Sequence, residues 1–514
     1  MLVKRLLLTM VIVIFAVVGC SAPLAAAPVK LGNEVLMDSR HDLIAGKRVG
    51  LVTNQSGVNS RGESTIDVLA GDPTVQLVAL YGPEHGIDGK ALAGEYVSSY
   101  IHPELGIPVY SLYGQTRMPT KEMLDGVDVL LFDVQDIGSR TYTYMSTLNY
   151  CLVAAKEYGK EVIVLDRPNP VGGIIVEGPV LEEPYRSFVG VDYLPMAHGM
   201  TAGELARFYN RNIGARLTVV PMEGYNRSMI FQDTGLNWVP TSPSIPDLDS
   251  VFGYMATGLG EGTGIFQADY FKWIGGKGVD AQVFAGLLNA AGLPGVYFVP
   301  EIRGTAGGVR LNITDYHTFN PALTGIYALT YAHDLSGFQV PKSGATVVMF
   351  DKIMGTDKIG RYLEQGWTPQ QIKAAYEPAL QQFVSERKKY LIYGDAKGIK
   401  IVVNGVNIYF DSPPYIDEHD RTMVPLRAIA EALGAEVGWN NDTRVVTIRK
   451  GERVSRFTID SNIAFYGNEQ VVMDTCPVIR NDRTMLPVRY AAESLGAKVD
   501  WEQSTQTVII ETGL

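Results

Sequence analysis

Four short apolar runs in the first third of the chain each stop at a cluster of polar residues. Val49-Gly50-Leu51-Val52 meets Thr53-Asn54-Gln55-Ser56, and Val75 to Leu80 meets Tyr81-Gly82-Pro83-Glu84-His85-Gly86. Val129-Leu130-Leu131-Phe132 meets Asp133-Val134-Gln135-Asp136, and Val162-Ile163-Val164-Leu165 meets Asp166-Arg167-Pro168-Asn169-Pro170. Apolar runs this short, bounded by turn residues, read as parallel strands buried on both faces. Helical patterns alternate with them. Thr147 to Tyr158 follows the third run, and Thr201 with Glu204 three residues on forms a capping box that opens another helix. Pro369 to Tyr390 reads as one long amphipathic helix or a pair. The fold class is therefore α/β, with the clearest doubly wound pattern before about residue 214 and a mixed α/β lobe from there to Tyr393. In an open parallel sheet, ligands bind beyond the carboxyl ends of the strands. Four strand ends thus deliver polar groups to one place.

The 514 residues suffice for two to four domains. A formal net charge of −11 argues against nucleic acid or an anionic surface as a partner. Any binding to an anionic wall polymer must therefore come from a shaped pocket. Lys4 and Arg5 precede an apolar run from Leu6 to Val18, short for a membrane span and suited to a secretory signal. The run ends Val17-Val18-Gly19-Cys20, which resembles a bacterial lipobox; Cys20 would then carry lipid and anchor the protein to the outer face of the membrane. Cleavage near Ala25-Ala26-Ala27, giving a secreted protein, is the alternative. Only Cys151 and Cys476 remain, so no disulfide framework exists, and no Cys/His spacing suggests zinc or another metal. No cofactor is expected.

The sequence divides into a signal and tether (1–28), a catalytic lobe (29–213), an auxiliary lobe (214–393) and a C-terminal region (394–514) that begins with a Gly-rich linker. The last region holds a repeat. Arg421-Thr422-Met423-Val424-Pro425-Leu426-Arg427 recurs as Arg483-Thr484-Met485-Leu486-Pro487-Val488-Arg489, an offset of 483 − 421 = 62 that Trp439 and Trp501 share. The two units resemble the stalk-type repeats named from the N-terminal domain of copper amine oxidases, and they offer no copper ligand cluster. Trp439 and Trp501 are expected as core anchors, and Arg427 and Arg489 in structural salt bridges.

Glu84, after a strand and Pro83 and freed by Gly86, is a candidate general acid, since a carboxyl at such a mouth can be partly desolvated. Asp133 and Asp136 are candidates for base or nucleophile, as is Glu261 in Glu261-Gly262-Thr263-Gly264. No Lys follows in that Gly-rich segment, so it is no phosphate loop. Asn54, His85, Gln135, Asp166, Asn169 and His198 could contact a sugar, and Arg140 or Arg167 could clamp a carboxylate. Each has a plainer reading as part of an internal network or turn.

Together the motifs resemble the NamZ-type exo-β-N-acetylmuramidases. The resemblance runs from about Leu36 to Tyr393. It includes Pro83-Glu84-His85-Gly86, Pro108 to Gly114, Asp133 to Tyr144, Asp166 to Pro170, Gly178-Pro179 and Phe350 to Thr356. It implies a Rossmann-like lobe with an auxiliary lobe and removal of N-acetylmuramic acid from the non-reducing end of peptidoglycan fragments. It also implies Glu84 as catalytic acid. The chain departs from the family pattern at Asp88 and Thr263, where Arg is usual. A non-catalytic lipoprotein that binds cell-wall glycan is the alternative function.

Overall fold

The four apolar runs form the centre of a seven-stranded sheet. Its strands are β1 (Arg48–Thr53), β2 (Gln76–Gly82), β3 (Tyr100–Ile101), β4 (Pro108–Ser111), β5 (Val129–Asp133), β6 (Glu161–Leu165) and β7 (Arg216–Val220). The order is β3-β4-β2-β1-β5-β6-β7, and every neighbour pair is parallel except β3 with β4. The order reverses at β1, which has β2 on one side and β5 on the other. This is the switch point at which doubly wound sheets open a crevice. In this computed structural model, residues 28–394, 399–408, 410, 412, 414–417, 419, 421–480, 483–502 and 507–512 are described. The expected signal segment with Cys20, and all of the expected linker but Gly394, lie outside them.

Side-chain alternation along the buried strands sorts the helices onto two faces. Val49, Leu51, Leu131 and Ile163 pack with α1 (Gly32–Ser39) and α2 (Thr65–Ala70). Leu130, Phe132, Val162 and Val164 pack with α3 (Tyr144–Glu157) and α4 (Ala202–Ile213). The helix α4 starts with the expected capping box between Thr201 and Glu204 and stops at Gly214, left-handed at φ 68°.

The second lobe begins with α5 (Leu248–Thr257). It holds the antiparallel sheet β10-β11-β9-β8, formed by β8 (Ile265–Ala268), β9 (Trp273–Lys277), β10 (Val296–Arg303) and β11 (Ala306–Ile313). Helices α6 (Ala281–Ala290) and α7 (Pro321–Ser336) cover it, followed by α8 (Met349–Met354), α9 (Lys358–Glu364) and α10 (Pro369–Arg387). The expected long helix is thus a single one, continuing through Pro378. The boundary expected at 213 is too early, because β7 completes the first sheet beyond it. The two lobes share one core, in which Leu148 and Phe208 join Phe252, Leu329 and Phe383.

After α10 the chain returns to the first lobe. The Tyr393 hydroxyl donates to Asp166 Oδ2 at 2.7 Å and accepts from the Met222 amide at 2.8 Å. Nearby, Arg227 Nη1 donates to both oxygens of the fully buried Glu204, at 2.8 and 2.9 Å, and Glu204 also accepts from the Ile392 amide.

The C-terminal repeats have their own core. Strand Thr422–Pro425 pairs antiparallel with strand Arg483–Pro487 so that the equivalent residues Val424 and Leu486 lie opposite one another. The two units are therefore related by a local two-fold. Each has a short helix, Leu426–Ala432 or Val488–Ser494, and then a hairpin that begins with the Trp-bearing strand. The tryptophans are not the core anchors expected: Trp439 is 43% exposed and Trp501 37%.

Replacing Arg227 with Leu would strand the Glu204 carboxylate in the interior. We expect Arg227→Leu to lower unfolding free energy by about 3–5 kcal/mol in urea titrations. A midpoint unchanged from wild type would show that this contact does not support the fold.

Candidate active site

Asp133 ends β5 and is fully buried. Arg167 Nε donates to its Oδ1 at 2.5 Å and Arg167 Nη2 to its Oδ2 at 3.0 Å. Thr65 Oγ1 and Asn33 Nδ2 donate to Oδ2 as well, at 2.6 and 3.4 Å. Arg167 spends its remaining reach on the Val58 carbonyl. The geometry makes this pair an internal bolt between β5, the β6 end, α1 and α2, with both carboxylate oxygens taken. The expectation that Asp133 serves as base or nucleophile, and that Arg167 clamps substrate, meets that saturation.

The switch point itself is closed. Thr53 Oγ1 donates to the Asp133 carbonyl at 2.8 Å, and Asn54 Oδ1 accepts from the Ser56 amide and hydroxyl. Gln135 Nε2 donates to the Asp136 and Pro168 carbonyls. The cavity bordered by Ser56, Gln135, Arg167 and Trp238 is about 90 Å3, room for water rather than for a sugar.

Other predicted contacts are also internal. Asp166 accepts from Thr201, Gly203, Arg167 and Tyr393, and burial pushes its carboxyl up to about 6. Gly203 is required here, since a Cβ would lie 2.8 Å from that carboxylate. Asn169 folds over its own turn, accepting from the Val171 amide and donating to the Met200 carbonyl. Arg140 pairs with no carboxylate among the described residues. Its Nη1 and Nη2 donate to the carbonyls of Lys352 and Ile353 at the C-terminal end of α8, which neutralises the negative pole of that helix. Burial without a carboxylate partner lowers its pKa to about 10. Glu261 is exposed on the turn after α5.

Asp136 is only partly used. Its Oδ2 accepts from the Gly138 amide at 2.9 Å, and His198 Nε2 stands 3.4 Å from the same oxygen. His198 Nδ1 accepts from the Met200 amide, and its Nε2, though close to Asp136, makes no hydrogen bond among the described residues. Among the described residues, the buried Asp136 Oδ1 has no hydrogen-bond partner.

Glu84 stands apart in the kind of partner it has. It lies two residues past β2 and is 7% exposed. Its Oε2 accepts from the Thr143 hydroxyl at 2.5 Å and its Oε1 from the Gly94 amide at 2.9 Å. Among the described residues no cation pairs with it. The loop that brings Gly94 back is closed by a clasp: His85 Nδ1 donates to the Ala91 carbonyl at 2.7 Å and the Ala91 amide donates to the His85 carbonyl. His85 is left-handed at φ 72°, a conformation that costs a side-chain-bearing residue on the order of 1 kcal/mol and that the clasp holds. Tyr113 faces the same carboxylate, its phenol pushed up by burial and then by the Glu84 charge. Tyr254 accepts from Thr141 Oγ1 at 3.3 Å. The charges of Glu84 and Asp136 are both felt at the Tyr254 phenol. Arg117, exposed, stacks over Tyr113 and Phe188 with its guanidinium 4.9 and 4.3 Å from their ring centres.

Family models match most of the chain. Residues 49–249 match "Exo-beta-N-acetylmuramidase NamZ, N-terminal" and residues 252–393 match "Exo-beta-N-acetylmuramidase NamZ, C-terminal". The peptidoglycan beta-N-acetylmuramidase NamZ of Bacillus subtilis (strain 168) is 44% identical over 382 residues, 71% of this chain and 91% of that protein. The chain belongs to the NamZ family. A crystal structure of a DUF1343 family protein from Bacteroides fragilis NCTC 9343 has TM-score 0.65 and 37% identity, covering 71% of this chain and 99% of that one. Residues 402–510 match "Copper amine oxidase N-terminal domain". A Brevibacillus choshinensis protein named protease inhibitor is 29% identical over 116 residues, 22% of this chain and 35% of that one.

Within this NamZ-family lobe, Thr143, Tyr113 and Arg117 were not singled out from sequence. Thr143 did leave a signal. It occupies the N-cap position of α3, yet its side chain makes no capping bond and turns to Glu84 instead. A cap residue diverted from its cap marks a local rule broken at a site. If the hydroxyl orients the Glu84 proton, Thr143→Ala lowers kcat roughly 10- to 100-fold with little change in KM, and Thr143→Ser restores most of it. Equal loss in both variants, or none, would remove Thr143 from the site.

Proposed function

We propose that the protein is an exo-acting glycosidase that releases N-acetylmuramic acid from the non-reducing end of peptidoglycan fragments, with Glu84 as general acid. Membership of the NamZ family supports a glycoside hydrolase acting on peptidoglycan. The observation that carries the assignment of the acid is the partner set of Glu84: one hydroxyl and one amide on a surface loop, no cation. A carboxyl in such a setting can exchange its proton without leaving an ion stranded. When it is protonated, its contact with Thr143 can reverse, because a hydroxyl both donates and accepts.

In the proposed reaction the Glu84 proton passes to the glycosidic oxygen as the C1–O bond breaks, the electron pair leaves with that oxygen, and water bonds to C1 and gives up a proton to solvent, from which Glu84 is recharged. Asp136, with Oδ1 unfilled and Tyr254 shared with Glu84, is the second carboxylate of this reading. It either steadies the developing positive charge directly or orients the group that attacks C1. The lactyl carboxylate of muramic acid needs a cation, and Arg140 and Arg167 are engaged elsewhere. Arg117, held over Tyr113 beside Glu84, takes that role in this reading. Lys4, Arg5, the apolar run and Cys20 support export and a lipid anchor, which would bring the enzyme to the wall.

The test is sugar release from a muramic acid–glucosamine disaccharide, followed by chromatography. Wild-type protein should release N-acetylmuramic acid, with Glu84→Gln slower by roughly 10²–10⁴-fold and still folded. Equal release by both would move the acid elsewhere. No release by folded wild type would favour the glycan-binding alternative.

A further inference from the structure

The C-terminal repeats enclose a cavity of about 630 Å3, within the size range of small-ligand sites. Trp501, Tyr490, Arg489, Asp500 and the Arg421–Asp474 pair line it. Trp501 lies two residues beyond Val499 on the strand Ala497–Glu502, so both point to the same side of the sheet. Val499 is buried at the edge of the core, whereas Trp501 runs past the core's edge and faces the cavity. The polar wall is ordered. Arg421 Nε donates to Asp474 Oδ2 at 2.6 Å, and the Asp474 amide donates to the Tyr490 hydroxyl at 3.2 Å. Arg489 is mostly exposed and stands 3.8 Å from Glu493, a loose surface pair.

The local two-fold provides an internal comparison. The first unit also exposes its tryptophan, Trp439, but it has Ala428 and Gly438 where the second has Tyr490 and Asp500. The surroundings of Trp501 therefore carry a tyrosine and a carboxylate that those of Trp439 lack, while Arg427 stands at the position equivalent to Arg489.

We propose that this cavity binds the peptidoglycan glycan strand, separately from the Glu84 site, and retains the enzyme on the polymer. A pyranose offers an apolar C–H face to an aromatic ring and a rim of hydroxyls to charged planar groups, the two kinds of surface that Trp501 and the Arg421–Asp474–Tyr490 wall present. Arg489 supplies a cation for a lactyl or peptide carboxylate. The chain's net charge of −11 gives no long-range attraction to an anionic wall, so retention must come from shaped contact of this kind. Holding the polymer raises the effective concentration of chain ends at a site that acts only on ends. The choice of a wall glycan as ligand rests on the proposed function.

The experiment is co-sedimentation of full-length protein, carrying Glu84→Gln to stop turnover, with purified protein-free peptidoglycan sacculi. Trp501→Ala and Arg489→Ala should each weaken binding about tenfold or more, Trp501→Phe should keep most of it, and Trp439→Ala should change it little. With Glu84 restored, Trp501→Ala should release sugar from the soluble disaccharide at the wild-type rate. Sacculus binding indifferent to Trp501→Ala would overturn the proposal. So would absence of binding to purified sacculi alongside binding to protein-containing walls, which would point to a protein ligand. If wild type releases no sugar yet sacculus binding depends on Trp501, the catalytic reading fails and the binding site stands.

Discussion

A charge taken out of water must find a partner, and the carboxyl edge of the parallel sheet buries Glu84, Asp133, Asp136, Asp166 and Glu204 together. That requirement organises the molecule. Asp133 takes Arg167, Glu204 takes Arg227, and Asp136 has His198 beside it. Asp166 takes four donors, the last of them Tyr393 from the far end of the second lobe. The partners come from α1, α2, the β6 end, the start of α4, the segment after β7 and the chain after α10, so neutralising the edge also fastens the lobes together. The Asp133 and Glu204 pairs are poor places for chemistry, because a carboxylate bolted to a buried guanidinium cannot change its charge without stranding its partner.

Glu84 is held differently. Its two oxygens rest on a threonine hydroxyl and a loop amide, and its loop is kept in shape by a strained His85 clasped to Ala91. Neutral donors fix the carboxyl's direction without an ion pair. A cluster of buried aromatic rings lies behind it. Tyr142 lies 4.8 Å from Tyr144 and 5.9 Å from Tyr254, ring centre to ring centre. Tyr254 in turn packs on Phe271, so the auxiliary lobe forms part of the site's wall. Sequence separation hides this assembly, yet it explains why the two lobes share one core.

The parallel sheet is readable in the sequence because its buried strands are continuous apolar runs with abrupt ends. The pattern is less informative at β7, where Arg216 to Val220 is a half-buried edge strand following a glycine-capped helix and reads as the start of something new. Arg140 reads as a clamp because nothing local shows that the carbonyl of Lys352, 212 residues on, will arrive to receive it. Thr143 goes unread because the expected helix starts at Thr147, whereas α3 begins at Tyr144 and places Thr143 at its N-cap. Trp439 and Trp501 fall on the inward side of their strands and so read as core, but the strands outlast the core. In the other cases the local pattern is right and the tertiary neighbour decides the role.

The account stands on the direction of Glu84. The most direct measurement is a crystal structure of the Glu84→Gln protein soaked with the muramic acid–glucosamine disaccharide. The account predicts the glycosidic oxygen within about 3.2 Å of the carboxamide that replaces the Glu84 carboxyl, with the muramic acid ring lying along Tyr113. A disaccharide seated instead over Asp166 or the Asp133–Arg167 pair, out of reach of position 84, would contradict it.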